Sequence, residues 1–204
     1  YSNEYITSAA AQALHARVAL YMQDWDTAIE YASILIDDKK NTFKLADAKT
    51  KYNADYTFFD YMWAYDLSYE IIWRIGFTET SYGSPLGTVF LNFTKDLTYY
   101  YPDYVPATAA LNLYDAADLR YSGYFAGKEQ GLTIGYTNGL DWPMLVKYYG
   151  NRNFTSKLIF HVSMPKPFRL AEQYLIRAEA YCRKNDFTKA GNDLTALRLS
   201  LIHI

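Results

Sequence analysis

The sequence has a single cysteine and no pattern of metal ligands, and these absences exclude several classes of protein. Cys182 cannot form an internal disulfide, and His15, His161 and His203 show no pairing in sequence that would make it a nucleophile. No CxxC, HExxH or acidic calcium loop occurs, so we expect neither a metal nor another cofactor. We interpret Cys182 as a small structural side chain on a helix.

Long apolar runs and an excess of basic charge are also missing. No run of 18 apolar residues occurs, so no membrane-spanning helix is predicted. The 20 Lys and Arg residues are interspersed with 22 Asp and Glu residues, and the formal charge is -2. A nucleic-acid partner is not expected, because no basic stripe is present to contact phosphates. With 50% apolar and 21% charged residues, the composition is that of a folded globular chain.

Two stretches, 8–37 and 168–198, are predicted to form the same pair of packed helices. A shift of 162 residues aligns a small residue, a turn acid, an aromatic residue and an alanine in both copies. The aligned pairs are Ala16 and Ala178, Asp24 and Asp186, Trp25 and Phe187, and Ala28 and Ala190. This spacing is typical of tetratricopeptide-type repeats, in which small residues let two helices approach closely.

The segment between the two copies, 42–166, is predicted to be an irregular insertion with short strands. Apolar and β-branched residues predict strands at 70–77, 144–149 and 158–162, and Pro106 precedes a predicted helix at 107–118. The fold class is therefore mostly α, with tetratricopeptide-like helix pairs framing a long irregular, aromatic-rich insertion.

Aromatic residues are the most abundant unusual feature of the chain. It contains 22 Tyr, 11 Phe and 4 Trp residues, which make 18% of the sequence. Rigid rings with polar tips suit a surface that stacks against the faces of sugars. We predict ligand contacts from aromatic and polar residues on Gly- and Pro-rich loops, namely Tyr82, Tyr136, Asn138, Asp141 and Trp142. Trp142 with Asp141 is the leading pair.

Two other functional classes stay open at this stage. A glycoside hydrolase needs two carboxylates across a cleft, and Glu70, Glu79, Asp103 and Asp141 show no spacing that pairs them. A peptide-binding helical scaffold needs exposed polar anchors on the helix pairs, which here carry small and apolar residues. The residues alone leave both alternatives open.

Several stretches together resemble the SusD/RagB family of cell-surface glycan-binding lipoproteins from Bacteroidetes. They are ALHARVALYMQDWDTAIEYASILI, EIIWRIGF, LNLYDAADLRYSGYF, VKYYG and PKPFRLAEQYLIRAEAYCRKNDFTKAGNDLTALR. The last stretch is the most specific. The resemblance implies a binding protein and not an enzyme. It would bind oligosaccharides at the outer face of the outer membrane and deliver them to a SusC-like TonB-dependent transporter. The same resemblance implies that Arg169, Glu172, Glu179 and 118–120 are scaffold residues that form ion pairs.

The resemblance also implies that the sequence lacks both ends of the family's single domain. The two predicted helix pairs would correspond to the third and fourth helical repeats of the family fold. Earlier repeats, a signal peptide and a lipidated cysteine would precede Tyr1, so contact with the membrane would depend on an anchor outside this sequence. We interpret 199–204, LSLIHI, as a non-native tail, because this apolar hexapeptide continues no helical stripe.

Overall fold

A computed structural model describes residues 3–40, 42–93, 98–115, 117–136 and 140–201. Within these residues the helices and strands follow in chain order: α1 (Ser8–Tyr21), α2 (Trp25–Ile36), α3 (Phe58–Tyr65), β1 (Ile71–Trp73), α4 (Thr108–Leu111), α5 (Leu119–Tyr124), β2 (Phe125–Ala126), β3 (Met144–Leu145), α6 (Arg152–Thr155), β4 (Phe168–Arg169), α7 (Leu170–Arg183) and α8 (Phe187–Leu201). The described residues form two compact units. The first comprises 3–47, 67–76 and 165–201, and the second comprises 48–66 and 77–164, each in its described parts.

The first unit contains both predicted helix pairs, packed side by side. α1 packs on α2, α2 on α7 and α7 on α8. Alanines fill these contacts, and Ala16 and Ala28 are fully buried while Ala178 and Ala190 are nearly so. Small side chains at these positions allow the helix backbones to approach closely. The structure thus confirms the predicted tetratricopeptide-like arrangement.

The two hairpins also repeat the same turn. Asp24 caps α2 by accepting a hydrogen bond from the Thr27 amide at 3.2 Å, and Asp186 accepts one from the Lys189 amide at 3.1 Å. The side chain and then the amide of Thr27 lower the pKa of Asp24, and those of Lys189 lower the pKa of Asp186 in the same order. The residue before each aspartate is left-handed, with φ of 61° at Gln23 and at the equivalent asparagine. The repeat therefore extends from side-chain pattern to backbone conformation.

A short antiparallel strand pair completes the first unit. β1 pairs with β4, with Ile71 opposite Arg169. Glu70, just before β1, is buried and accepts hydrogen bonds from Arg169 at 2.6 Å and from the Ala46 amide at 2.8 Å. Part of the predicted insertion, 67–76, therefore packs with the helix pairs.

Four residues or segments named by the family resemblance form ion pairs. Arg169 pairs with Glu70, Glu172 with Arg17 at 2.5 Å, Glu179 with Arg183 at 3.6 Å, and Asp118 with Arg120 at 2.5 Å. The first three pairs lie in the first unit, and the last lies at the start of α5. These contacts fit the predicted scaffold role.

The second unit consists largely of loops around aromatic clusters. Its elements include the helices α3, α4, α5 and α6 and the antiparallel pair β2 and β3. Leu91, Ile134 and Met144 form one buried cluster, and Phe154, Val162 and Met164 form another. No membrane-crossing helix occurs among the described residues, since none is both long and apolar enough.

Three predicted elements of this unit differ from the structure. The helix predicted at 107–118 is limited to α4, which buries no residue and so gains little packing energy to extend it. The strand predicted at 144–149 is limited to β3. Residues 158–162 do not form a strand, because Leu158 and His161 have φ of 64° and 63°, outside the extended region.

The end of the chain continues the last helix. α8 extends to Leu201 and so includes 199–201, while 202–204 lie outside the described residues. The interpretation of 199–204 as a non-native tail stays a prediction.

Candidate functional site

A pocket of about 250 Å³ opens in the second unit. Its lining comes from four separate segments of the chain, and two of them, 56–64 and 146–152, supply the aromatic and charged side chains. The residues that matter for the argument are Tyr56, Asp60, Trp63, Lys147, Tyr149 and Arg152. The combination of ring faces, two cations and one carboxylate suits a ligand with both apolar and polar groups.

Helix α3 supplies one wall of the pocket. Thr57 caps α3 by accepting from the Asp60 amide at 3.0 Å, and the Asp60 carboxylate accepts from the Thr57 hydroxyl at 2.7 Å. This reciprocal capping box fixes where α3 begins. Asp60, Trp63 and Ala64 are spaced three and four residues apart, so they lie on one face of the helix, and all three line the pocket.

Lys147 is surrounded by aromatic rings at the pocket wall. Its Nζ lies 4.2 Å from the ring centroid of Trp63, 4.7 Å from that of Tyr124 and 5.3 Å from that of Tyr148. These distances are within the range of cation–π attraction. The ammonium group is therefore held against the rings while it lines the pocket.

Arg152 supplies the second cation from the start of α6. Its guanidinium lies 4.4 Å from the ring centroid of Tyr149. Asn151, which is buried, caps α6 through a hydrogen bond from the Asn153 amide at 3.0 Å. Tyr149 packs against the buried cluster that contains Tyr100, and burial raises the pKa of Tyr100. This packing holds in place the Tyr149 ring that contacts the Arg152 guanidinium.

A ladder of stacked tyrosines lies next to the pocket. Tyr52 stacks on Tyr61 with ring centroids 3.9 Å apart, and Tyr61 stacks on Tyr65 at 4.6 Å. Tyr56 meets Tyr61 and Tyr65 edge-on, at 6.3 and 5.5 Å. Because Tyr56 also lines the pocket, it joins the pocket to the ladder. Tyr52 is 48% exposed, so the ladder reaches solvent.

The predicted contacts on the later loop lie close together in the chain but have different surroundings. Tyr136 is 63% exposed, and its hydroxyl donates to the Tyr101 carbonyl at 3.3 Å. Trp142 is half-buried against the Leu91 cluster, and its indole N–H donates to the Pro106 carbonyl at 2.9 Å. Trp142 therefore has a clear packing role, and its contact with a ligand stays a prediction.

The other predicted contacts are in different places. Asp141 is exposed beside Trp142. Tyr82 is exposed and follows a separate turn that Thr78 and Ser81 close by mutual hydrogen bonds. Asn138 lies outside the described residues.

The pocket residues were not among the predicted contacts. Two sequence signals pointed to them, the aromatic run at 58–69 and the Tyr148–Tyr149 pair. The prediction favoured Gly- and Pro-rich loops, whereas the pocket uses a capped helix. Lys147 and Arg152 gave no separate signal, because only the fold brings them to α3.

The carboxylates considered for hydrolysis do not come together at the pocket. Glu70 is buried and paired with Arg169, Glu79 pairs with Lys157, and Asp103 and Asp141 are exposed. Asp60 is the carboxylate in the described lining. Among the residues that the structure describes, no group of three or more His, Cys, Asp and Glu side chains is placed to hold a metal.

Comparison with known proteins identifies the fold. No protein-family model matches the sequence, and no curated protein matches it significantly. A SusD superfamily protein from Bacteroides thetaiotaomicron is 22% identical with a TM-score of 0.73, covering 98% of this chain and 42% of that one. A SusD-like carbohydrate binding protein from Bacteroides vulgatus is 18% identical with a TM-score of 0.70, covering 100% of this chain and 40% of that one.

A third similar structure contains a sugar. It is surface glycan-binding protein A from Bacteroides thetaiotaomicron in complex with laminarihexaose, 18% identical with a TM-score of 0.66, covering 98% of this chain and 49% of that one. The chain thus has the fold of SusD-like proteins, which confirms both the fold class predicted from the helix-pair pattern and the resemblance to the SusD/RagB family. It spans less than half the length of these solved structures.

Proposed function

We propose that this chain is part of a carbohydrate-binding protein, and that the tyrosine ladder and the adjoining pocket hold an oligosaccharide. The observation that carries the proposal is the continuous aromatic surface from Tyr52 through Tyr61 and Tyr65 to Tyr56 at the pocket. The faces of sugar rings carry C–H groups that pack on aromatic rings, and their hydroxyls need polar partners. The ladder offers the first, and Asp60 with the phenol groups offers the second.

The ladder is suited to a chain of sugars because its rings are already in place. Tyr61 is held in place by its stacking on Tyr52 and on Tyr65. Each ring that keeps a face or an edge open to a sugar, such as the exposed Tyr52, would contribute about 0.5–1.5 kcal/mol beyond area burial, by analogy with aromatic pairs. Repeated weak contacts of this size favour polymers over single sugars.

The fold supports this proposal, since similar structures include proteins named as carbohydrate- or glycan-binding. We further propose that the whole protein is held by a lipid anchor on the external face of the outer membrane. A SusC-like TonB-dependent transporter would receive the bound oligosaccharide. We propose binding without catalysis, because hydrolysis needs a second carboxylate placed across from Asp60.

Oligosaccharide binding by the purified 204-residue chain tests this proposal. Calorimetric titration would use laminarihexaose, maltohexaose, xylohexaose, mannohexaose, oligogalacturonate and sulfated galactan oligosaccharides. We expect at least one to bind, and Tyr52→Ala to weaken that binding about 3- to 10-fold, since one exposed stacking ring is lost.

Tyr104→Ala is the matched control, because Tyr104 is in the same unit and is 68% exposed but outside the ladder. Equal affinity of Tyr52→Ala and the unmodified chain would contradict the role of the ladder. Release of reducing ends from a bound oligosaccharide would contradict binding without catalysis.

A further inference from the structure

The buried and half-buried arginines of this chain form ion pairs with carboxylates, with one exception. Five of them have a carboxylate oxygen 2.5–2.7 Å from a guanidinium nitrogen, and these are Arg17, Arg74, Arg120, Arg169 and Arg177. Arg152 is the exception, since no carboxylate of the described residues lies within ion-pair distance of its guanidinium. Its described contact is the ring of Tyr149.

This exception is located at the pocket. Arg152 and Lys147 line the pocket together, against the single carboxylate of Asp60. That carboxylate already accepts from the hydroxyl and the amide of Thr57. The lining is therefore positive overall, and the donors of Arg152 are not used by another protein carboxylate of the described residues. A guanidinium presents five N–H donors in a planar fork that matches carboxylate and sulfate oxygens.

The size of the pocket limits what can enter it. At about 250 Å³ it is below the roughly 300–1,000 Å³ typical of sites for drug-sized ligands. The pocket therefore has room for one sugar residue. The neighbouring sugar residues of the oligosaccharide would lie on the tyrosine ladder. Tyr56 lies at the junction of the two surfaces.

We propose that the pocket binds an anionic sugar residue, whose carboxylate or sulfate group accepts hydrogen bonds from Arg152. This inference rests on the proposed function and names its ligand class. Lys147, which is held against the Trp63 ring, adds a second positive charge. Asp60 is then placed to accept from a sugar hydroxyl. Neutral oligosaccharides would leave the Arg152 donors without an anion and bind less tightly.

Titration of matched acidic and neutral oligosaccharides tests the inference. Oligogalacturonate carries carboxylates, sulfated galactan oligosaccharide carries sulfate esters, and laminarihexaose is neutral. We expect the unmodified chain to bind one of the two acidic ligands more tightly than laminarihexaose. The ligand that it prefers shows whether the pocket recognises a carboxylate or a sulfate group. Arg152→Gln should weaken that ligand about 10- to 100-fold, the range for one charge-assisted contact. The affinity of Arg152→Lys for that ligand should lie between those of the unmodified chain and Arg152→Gln. Lysine keeps the positive charge but lacks the planar, bidentate donors of a guanidinium.

Lys157→Gln is the control for net charge, because Lys157 is an exposed cation of the same unit and pairs with Glu79. It should leave the affinity for the acidic ligand unchanged. Circular dichroism melts of every variant would confirm that each is folded. The affinity of the unmodified chain for the acidic ligand should also fall as salt is raised, while that for laminarihexaose changes little.

The outcomes separate this inference from the proposed function. If Tyr52→Ala weakens oligosaccharide binding while Arg152→Gln does not, the anionic pocket is refuted and the glycan-binding ladder stands. Equal affinity for neutral and acidic ligands also refutes the anionic pocket. If no oligosaccharide of either kind binds, both proposals are refuted.

Discussion

The buried ion pair between α7 and α8 allows a quantitative test of what holds the helix pairs together. Arg177 donates to both oxygens of Asp193, at 2.9 and 2.7 Å, and its side chain is 10% exposed against 7% for Asp193. The same guanidinium reaches α2, donating to Ser33 at 3.1 Å and to Asp37 at 2.6 Å. Asp193→Asn therefore removes one charge from a buried, bidentate ion pair that links three helices.

We expect Asp193→Asn to lower the free energy of unfolding by about 3 kcal/mol. Removing one partner of a buried pair costs about 3–5 kcal/mol, because the other charge stays buried without compensation. The lower end applies here, since Asp37 still faces Arg177. For a chain of this size such a loss lowers the melting temperature by about 6–12 °C.

The control is Asp26→Asn, which makes the same chemical change at an exposed pair. Asp26 is 82% exposed and pairs with Lys184, so it also links α2 to the end of α7. Exposed pairs contribute about 0–1 kcal/mol, and we expect a loss in that range. Urea unfolding followed by circular dichroism at about 222 nm, where helices absorb, would measure both variants. A loss for Asp193→Asn as small as that for Asp26→Asn would refute the reasoning from burial.

A double variant separates attraction from desolvation. Arg177→Met with Asp193→Leu replaces the pair by apolar side chains of similar length. Such replacements are often neutral or stabilising, because neither charge has to be removed from water. We expect the double variant to recover most of the stability lost in Asp193→Asn. If it is less stable than the single variant, the pair contributes net attraction that exceeds its desolvation cost.

Two further predictions concern the second unit. Burial lowers the pKa of His161 in the folded chain. As the pH decreases below about 6.5, the unfolded chain therefore takes up a proton that folded His161 does not. The free energy of unfolding should decrease as the pH is lowered, until the folded pKa is reached. His161→Gln should flatten this decline in melts between about pH 7 and pH 4.5. A Cβ at Gly87 would overlap the Tyr148 carbonyl oxygen, so Gly87→Ala should destabilise by about 1–3 kcal/mol in urea unfolding. Gly191→Ala, in α8 with open space around it, should instead stabilise by about 0.5–1 kcal/mol, and a gain at Gly87 would contradict the close approach of the Tyr148 backbone to that glycine.

The helix pairs could be predicted from the sequence because their signals are local and repeated. Small residues at helical spacing, an aspartate in the turn and an aromatic residue after it place both hairpins within a few residues of their observed bounds. Ala16 of α1 and Ala28 of α2, for example, lie in one buried cluster, where small side chains let the two helices pack closely. Only the capping aspartates Asp24 and Asp186 were needed to place the turns.

The pocket could not be predicted in the same way, because its parts are distant in sequence. Helix α3 is rich in aromatic residues on every side, so no apolar stripe marks it as a helix. Its one local signal is the capping box of Thr57 and Asp60, which the aromatic run obscured. Lys147 and Arg152 reach α3 only through packing of the second unit, which no spacing in the sequence records.

The contact between Asn151 and Asp66 explains how such a pocket can be rigid before a ligand binds. Asp66 follows α3 with φ of 56° and is fully buried. Asn151 donates to its carboxylate at 2.7 Å and to the Tyr65 carbonyl at 3.0 Å, while it also caps α6. The end of the aromatic helix and the start of the helix that carries Arg152 are thereby joined by buried hydrogen bonds. The entropy cost of ordering this arrangement is met on folding and not on binding. Under the proposed function, weak contacts with a sugar chain would then be sufficient for measurable affinity.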